Sequence, residues 1–416
     1  MAGSGKFALI VGGELRNKGA QAMSFITICE IKQRFPELVP VLVSEVDAPP
    51  TLIQKMKGQS ERPNYSNLNF LLAHQLIEGR TGWKGKLKIL LSKKENEIAK
   101  SYFDNAALCV DISGYAFGDK WGVIGCTQYL DRVETLVKRG IPTYLLPQSF
   151  GPFDFNGEDI KCFAARADKL LSKAKIIFSR EEEGFKSMIE LCPDANVVLA
   201  RDIVLQNRKL DFGLIFKNEP TRITRTPDAR YKYVGIVPNA RIYEHYDRRS
   251  LDTLYTDLIE KLLTKGYRIA IVRHATEDLA ICKKLKDFYV DDPRVELFQE
   301  DRYCFEYRDI FINCDFLIAS RFHSIVHAYK SGVPCIALGW SIKYYELLKL
   351  ANQEDLVFDV TSSSFDGNNL LNSIDYVIEN MSELSNEVNN AVQEARENDV
   401  FDIVEKDYDA FKSGCC

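Results

Sequence analysis

The strongest constraint on the fold is a short apolar run that ends in a polar or glycine-bearing step and is followed by a helical stretch, repeated along the chain. The runs include FALIVGG at 7–13, ALCVDIS at 107–113, TYLL at 143–146 and KIIFS at 175–179, then YVGIVPN at 233–239, YRIAIVRH at 267–274, FLIAS at 316–320 and CIALG at 335–339. Their apolar residues do not alternate with polar ones, so each strand must be buried on both faces, as in a parallel sheet covered by helices. Strand-helix alternation of this kind predicts a doubly wound α/β fold. Open parallel sheets bind ligands at the carboxyl ends of their strands, so the polar steps are the first places to look for chemistry.

A length of 416 residues exceeds one ordinary core and suits two domains of about 200 residues each. The periodicity lapses at 206–232, where NEPTRITRTPDARYK has the composition of a linker or crossover. The expected organisation is an N-terminal α/β domain at 1–210, a second at 231–365, and C-terminal helices with a tail at 366–416 that pack on either domain. Within the first half, 48–105 reads as a more polar region; it holds the weakly structured KGQSERPNYSN and a Lys-rich stretch at 84–100 that suits a solvated helix face. A net charge of -5 argues against a nucleic-acid binder acting through bulk electrostatics. MAGSGKFALIVGG runs straight into a strand, and no apolar stretch approaches the length of a membrane span, so a cytoplasmic protein is expected. The eleven cysteines lack CxxC pairs and metal-ligand spacing, so they read as buried apolar residues in a reducing compartment. No metal site is expected. The adjacent Cys415 and Cys416 lack a CaaX pattern and read as an exposed tail.

The polar steps supply the candidate residues. In the first loop, Gly12 to Ala20, the glycine spacing is not that of a dinucleotide fingerprint, and GSGK has no strand before it, so neither motif applies. Asn17 and Gly19 are candidate acceptor-facing residues there, with a tight strand-to-helix turn as the alternative. DISGYAFGD at 111–119 offers Asp111, Tyr115 and Asp119; Asp111 also suits backbone satisfaction, and Asp119 reads as the more exposed. LPQSFGPF at 146–153 reads as a third loop with Gln148 and Ser149 ready to hydrogen-bond. Arg180 and Arg321 each follow a Ser at a strand end, and two such arginines from facing domains would clamp a small anion. Arg241 and His274 add cationic or protonatable groups at further strand ends. Ser320-Arg321-Phe322-His323-Ser324 sits where a strand gives way to a helix N-terminus, a place that favours a bound carboxylate or phosphate. The alternative is that Arg321 pairs with a local Asp and His323 caps the helix.

Taken in order, G-x-x-x-x-N-x-G-A-x-A-M at 12–23, D-x-S-G-Y at 111–115, Q-S-F-G-P at 148–152, S-R-E at 179–181, and S-R-F-H-S at 320–324 followed by G-V-P and Lys343 resemble the polysaccharide pyruvyl transferase family over nearly the whole chain. Phe322 stands where Leu is common in the family, and Ser113-Gly114-Tyr115 is less glycine-rich than in many members. Two consecutive doubly wound, Rossmann-like domains facing each other across a cleft also resemble the GT-B architecture of glycosyltransferases. The family resemblance implies phosphoenolpyruvate as donor and a pyruvate ketal on two hydroxyls of one sugar as product, in surface polysaccharide biosynthesis. It implies donor contacts from Arg180, Arg321, Phe322, Ser324, Arg241 and His274, and acceptor contacts from Asn17, Gly19, Asp111, Tyr115 and Gln148. His323 is the expected general acid, its pKa raised by a bound anion, and Asp119 the expected base. No cofactor beyond the co-substrate is expected. A lipid-linked acceptor would add peripheral membrane contact. The competing readings are a GT-B glycosyltransferase using a nucleotide sugar and a noncatalytic sugar-precursor-binding protein.

Overall fold

The computed structural model describes residues 6–44, 47, 69–71, 93–155, 159–245 and 248–414. The KGQSERPNYSN segment and the first part of the Lys-rich stretch lie outside the described residues; Lys93–Asp104 is a helix. Two compact units emerge: Met1–Leu15, Met23–Pro220 and Asn398–Cys416 form the first, and Arg16–Ala22 with Thr221–Glu397 form the second. Both are parallel α/β sheets in which helices connect most of the successive strands.

In the first unit the strands are β1 (Phe7–Val11), β2 (Val39–Val43), β3 (Asn69–Leu71), β4 (Ala106–Asp111), β5 (Tyr115–Phe117), β6 (Thr143–Phe150), β7 (Ile176–Ser179) and β8 (Val197–Leu199). Their order is β3-β2-β1-β4-β6-β7-β8, with β5 pairing on β6. The β1–β4 neighbours lie where the order reverses, and one hydrophobic cluster there joins Leu9, Val11, Val41, Val43, Cys109, Leu136 and Ile141. β6 is longer than the sequence suggests. Gln148 and Ser149, expected on a loop, lie inside the strand, paired with Ser179 of β7 and Tyr115 of β5. Pro147 is tolerated because it falls at the register irregularity between Leu145 and Gln148, where the ladder does not need its missing N–H.

The second unit contains β9 (Tyr233–Val237), β10 (Arg268–Val272), β11 (Val295–Phe298), β12 (Phe316–Ala319), β13 (Cys335–Gly339) and β14 (Val357–Asp359), ordered β11-β10-β9-β12-β13-β14. The chain winds outward from β9 to β11 and then restarts at β12 on the other side of β9. The crevice at the carboxyl ends of β9 and β12 is therefore a topological switch point, the usual ligand position in an open α/β sheet.

The C-terminal helices divide between the units. Gly367–Glu379 and Met381–Ala395 belong to the second, whereas Val400–Ser413 returns to the first. There Tyr144 Oη donates to Asp407 at 2.6 Å, Arg34 pairs with Glu405 at 2.8 Å, and the Val400 N–H donates to Gln206 Oε1 at 3.0 Å. An amphipathic pattern reveals that a helix packs, but not on which body.

Candidate functional site

Ser320 directly follows β12, wholly buried and fixed on every side. Its N–H donates to the Val237 carbonyl, its carbonyl accepts from Asn239 Nδ2 at 2.8 Å and Tyr344 Oη at 2.9 Å, and its hydroxyl bonds Tyr255 Oη at 3.0 Å. Arg321 follows in an extended conformation as the N-cap of the helix Phe322–Tyr329, and Ser324 Oγ donates to its carbonyl at 2.6 Å. Phe322 is buried edge-on against His323 and Tyr344. These contacts fix the first turn before any ligand arrives.

Arg321 does pair with an aspartate, though one that is distant in sequence. Its Nε donates to Asp278 Oδ2 at 2.9 Å and its Nη2 to Glu277 Oε1 at 2.9 Å. Asp278, 0% exposed, also accepts the N–H groups of Ala240 at 3.0 Å and Ala275 at 2.9 Å, so one carboxylate joins the loops after β9, β10 and β12. The Nη1 group of Arg321 forms no hydrogen bond with the described residues and is the part of the guanidinium left for an anion. Asp278 and Asn239 are not among the candidates the sequence offers, because their roles depend on partners about 40 to 80 positions away.

His323 is contacted by the segment Arg16–Ala22. A Cβ built on Gly19 would lie 2.1 Å from His323 Nδ1, so only glycine lets the backbone lie against the imidazole. Asn17 Oδ1 accepts the Gly19 N–H at 3.0 Å, which makes Asn17 a cap of the helix Lys18–Arg34. The structure thus brings Asn17 and Gly19 to the His323 side, in the second unit, and gives each a local task. Gln21 Oε1 accepts the Cys304 N–H at 2.7 Å, and Lys18 Nζ lies 2.7 Å from Asp301 Oδ1.

His274 and His327 lie close by, with ring centroids 6.2 Å apart, and His274 packs on Tyr307 at 4.8 Å. Neither Nε2 forms a hydrogen bond with the described residues. Burial pushes both pKa values well below the usual histidine range, reinforced for His274 by His327, Arg321, His323 and Lys18 and for His327 by Lys330 and His323. Both imidazoles are neutral near pH 7, so His274, expected as a protonatable group, offers a neutral ring instead. The Arg241 side chain is exposed and pairs with Glu244 at 3.1 Å, while its N–H donates at 2.9 Å to Asn239 Oδ1, so its tie to the cluster is through the backbone.

The first unit gathers the remaining candidates near the carboxyl ends of β4, β6 and β7. Asp111 is buried and accepts the Ser113 N–H at 2.8 Å; Asp119 is half-exposed, as expected of the two. Tyr115 Oη donates to the Gly151 carbonyl at 3.2 Å, and burial, with Asp119 nearby, pushes its pKa up to about 12, so the phenol remains a donor. Gln148 is 0% exposed, and neither amide atom forms a hydrogen bond with the described residues, although the Tyr129 hydroxyl faces it. Leaving such an amide unsatisfied costs about 1–3 kcal/mol, which sets Gln148 apart from the bonded polar groups around it. Arg180 is saturated inside the protein: Nη1 donates to Asp202 at 3.0 Å, Nε to Glu181 at 2.8 Å and Nη2 to Ser149 Oγ at 2.7 Å. Ser149, expected to be available for bonding, also donates to Glu181 Oε1 at 2.7 Å.

A family model described as polysaccharide pyruvyl transferase matches residues 17–342. That span runs from the Asn17 cap through the His323 helix to the start of the Ile342–Lys349 helix. A search of curated proteins finds no match. Among solved structures, Anabaena Alr3699/HepE in complex with UDP and glucose is similar at a TM-score of 0.53 and 12% identity, covering 98% of this chain and 99% of that one. The S. aureus MnaA–UDP structure gives 0.55 at 10% identity over 93% and 92% of the two chains. A UDP-glucosyltransferase from Polygonum tinctorium gives 0.52 at 11% over 98% and 100%. At these identities the likeness establishes the two-domain Rossmann-like fold alone. Among the described residues no helix is long and apolar enough to cross a membrane, and no His/Cys/Asp/Glu cluster suits a metal.

Proposed function

Because the chain belongs to the polysaccharide pyruvyl transferase family, we propose that this transferase moves the pyruvyl group of phosphoenolpyruvate onto two hydroxyls of one sugar as a ketal. The observation that best supports the reading is the placement of His323. It lies at the switch point, two residues past Arg321, in a turn held by Ser320 and Ser324 and closed on one side by Gly19. Anion binding and proton donation are thereby combined in a single helix turn.

In this reading Arg321 Nη1 and the N-terminal N–H groups of the Phe322–Tyr329 helix bind the donor phosphate. His323 protonates the methylene carbon, which turns the carbon bearing the enol phosphate oxygen into an electrophile. One sugar hydroxyl adds there, phosphate leaves, and the second hydroxyl closes the ketal. The two hydroxyl protons balance the step: one replaces the proton delivered to the new methyl group and the other departs with phosphate. The substrates undergo no net oxidation or reduction, so the step requires no redox cofactor. Asp119 is the base, and Asp111, Tyr115 and Gln148 hold the sugar, with the Gln148 amide supplying donor and acceptor together. Arg180, saturated by Glu181 and Asp202, holds the β6–β7 end in shape instead of meeting the donor.

The test is mass spectrometry of the protein mixed with phosphoenolpyruvate and candidate sugars, free, nucleotide-linked and lipid-linked, in deuterated water. A ketal whose methyl group carries solvent deuterium is the expected product. His323→Gln should lower turnover by about 10²–10⁴-fold while donor binding persists. Tight UDP-sugar binding without phosphoenolpyruvate binding would overturn the donor and favour glycosyl transfer. Normal turnover by folded His323→Gln would remove His323 from proton transfer.

A further inference from the structure

Lys18 is an unusual residue to find buried. Its side chain is 7% exposed, yet its ammonium meets a carboxylate that is 60% exposed, Asp301, at 2.7 Å. A buried ammonium needs an anion, and a partner mostly in water is only a weak restraint. Arg273 shares that carboxylate, with Nη2 at 3.9 Å. Its own N–H groups are committed to Ala275, Gln299 and Thr276, so it is fixed in place and contributes charge more than bonds. His274, next in sequence, adds an unbonded buried Nε2, and Gly19, the residue after Lys18, lies on the His323 ring.

We propose that Lys18, with Arg273 behind it, forms a second anion pocket beside His323 that takes the carboxylate of the donor, and that Asp301 occupies this pocket as a placeholder which the donor displaces. This inference rests on the reading of phosphoenolpyruvate as donor. The assignment of carboxylate here and phosphate at Arg321 follows from what each place already provides. Lys18 is seated against a carboxylate now, whereas the unspent Arg321 Nη1 adjoins a helix N-terminus suited to a phosphate. Asp301 is exposed enough to swing aside, and only Lys18 and the more distant Arg273 meet its carboxylate among the described residues.

Calorimetric titration of the full chain with phosphoenolpyruvate and, separately, with inorganic phosphate tests this. Lys18→Met should weaken phosphoenolpyruvate binding at least tenfold and leave phosphate binding within about twofold, with Lys18→Arg restoring part of the loss. Asp301→Asn removes the competing charge and should tighten phosphoenolpyruvate binding about three- to tenfold, again sparing phosphate. Unchanged phosphoenolpyruvate affinity in folded Lys18→Met, or weaker binding by Asp301→Asn, overturns the pocket. If Lys18→Met does not fold, Asp301→Asn, a surface change, decides alone. Wild-type protein that binds phosphate but not phosphoenolpyruvate defeats the donor reading and this pocket together. Wild-type binding with unshifted variants defeats the pocket only.

Discussion

Ser179-Arg180 and Ser320-Arg321 are the same dipeptide at the same place, the carboxyl end of a parallel strand, yet the two arginines are not equivalent. The Arg180 side chain is 4% exposed and neutralised by two nearly buried carboxylates. The Arg321 side chain is 13% exposed, shares one buried and one half-exposed carboxylate, and keeps Nη1 uncommitted. A strand-end arginine becomes a binding group only when the surrounding loops leave part of its fork unspent. In the first unit Asp202, the N-cap of the Ile203–Gln206 helix, Glu181 and Ser149 between them engage all three nitrogens of the fork.

The largest expected effect is on Arg180. Arg180→Met leaves Glu181 and Asp202 buried without a cation, so stability should fall by about 3–5 kcal/mol in urea denaturation. A variant of near-normal stability that no longer bound phosphoenolpyruvate would break the contrast and return Arg180 to the donor.

Arg321→Lys should behave in the opposite sense. It retains a charge beside Asp278 but loses the planar fork, so the fold should survive while phosphoenolpyruvate affinity drops by about 1.5–3 kcal/mol, roughly 10- to 150-fold, in calorimetric titration. A larger loss of stability than of affinity would make Arg321 a scaffold residue like Arg180.

The third difference is in titration. The neutral His274 and His327 lie on the Arg321 side, with folded pKa values held down by burial. Their unfolded values are near 6.5, so the unfolded chain takes protons first as pH falls. Stability is therefore fully present above about pH 6.5 and is lost below it, by up to about 1.4 kcal/mol per pH unit for each ring. Thermal melts at pH 7.5 and 5.5 should show the drop, and His327→Gln should lessen it. A flat profile would mean that burial does not hold these two imidazoles neutral.

Much of this protein is legible from local pattern. Non-alternating apolar strands such as FALIV and FLIA, and the helix at 18–34, depend on burial and periodicity that neighbours in sequence dictate. The Arg321–His323 turn was found for the same reason: a strand end, a cation and a helix start are contiguous residues. Pro147 of LPQSFGPF misled, because it suggests a turn wherever partner strands are unknown, whereas β5 and β7 keep Leu146 to Phe150 extended; the chain leaves the strand only at Gly151, whose φ is 65°.

Sequence alone thus settled the class of fold, the alternation of strands and helices, and which segments end in polar steps, since each is set by chemistry within a few residues. Tertiary structure decided which of two identical Ser-Arg steps retains a usable hydrogen-bond donor, that Asn17 and Gly19 serve the His323 side, and that the last helix returns to the first unit while the two before it do not. Those outcomes turn on long-range partners: Asp278 for Arg321, Asp202 for Arg180, His323 for Gly19 and Asp407 for Tyr144. A buried charge or a close backbone approach is resolved only by whatever the folded chain brings against it, and no local pattern encodes that neighbour.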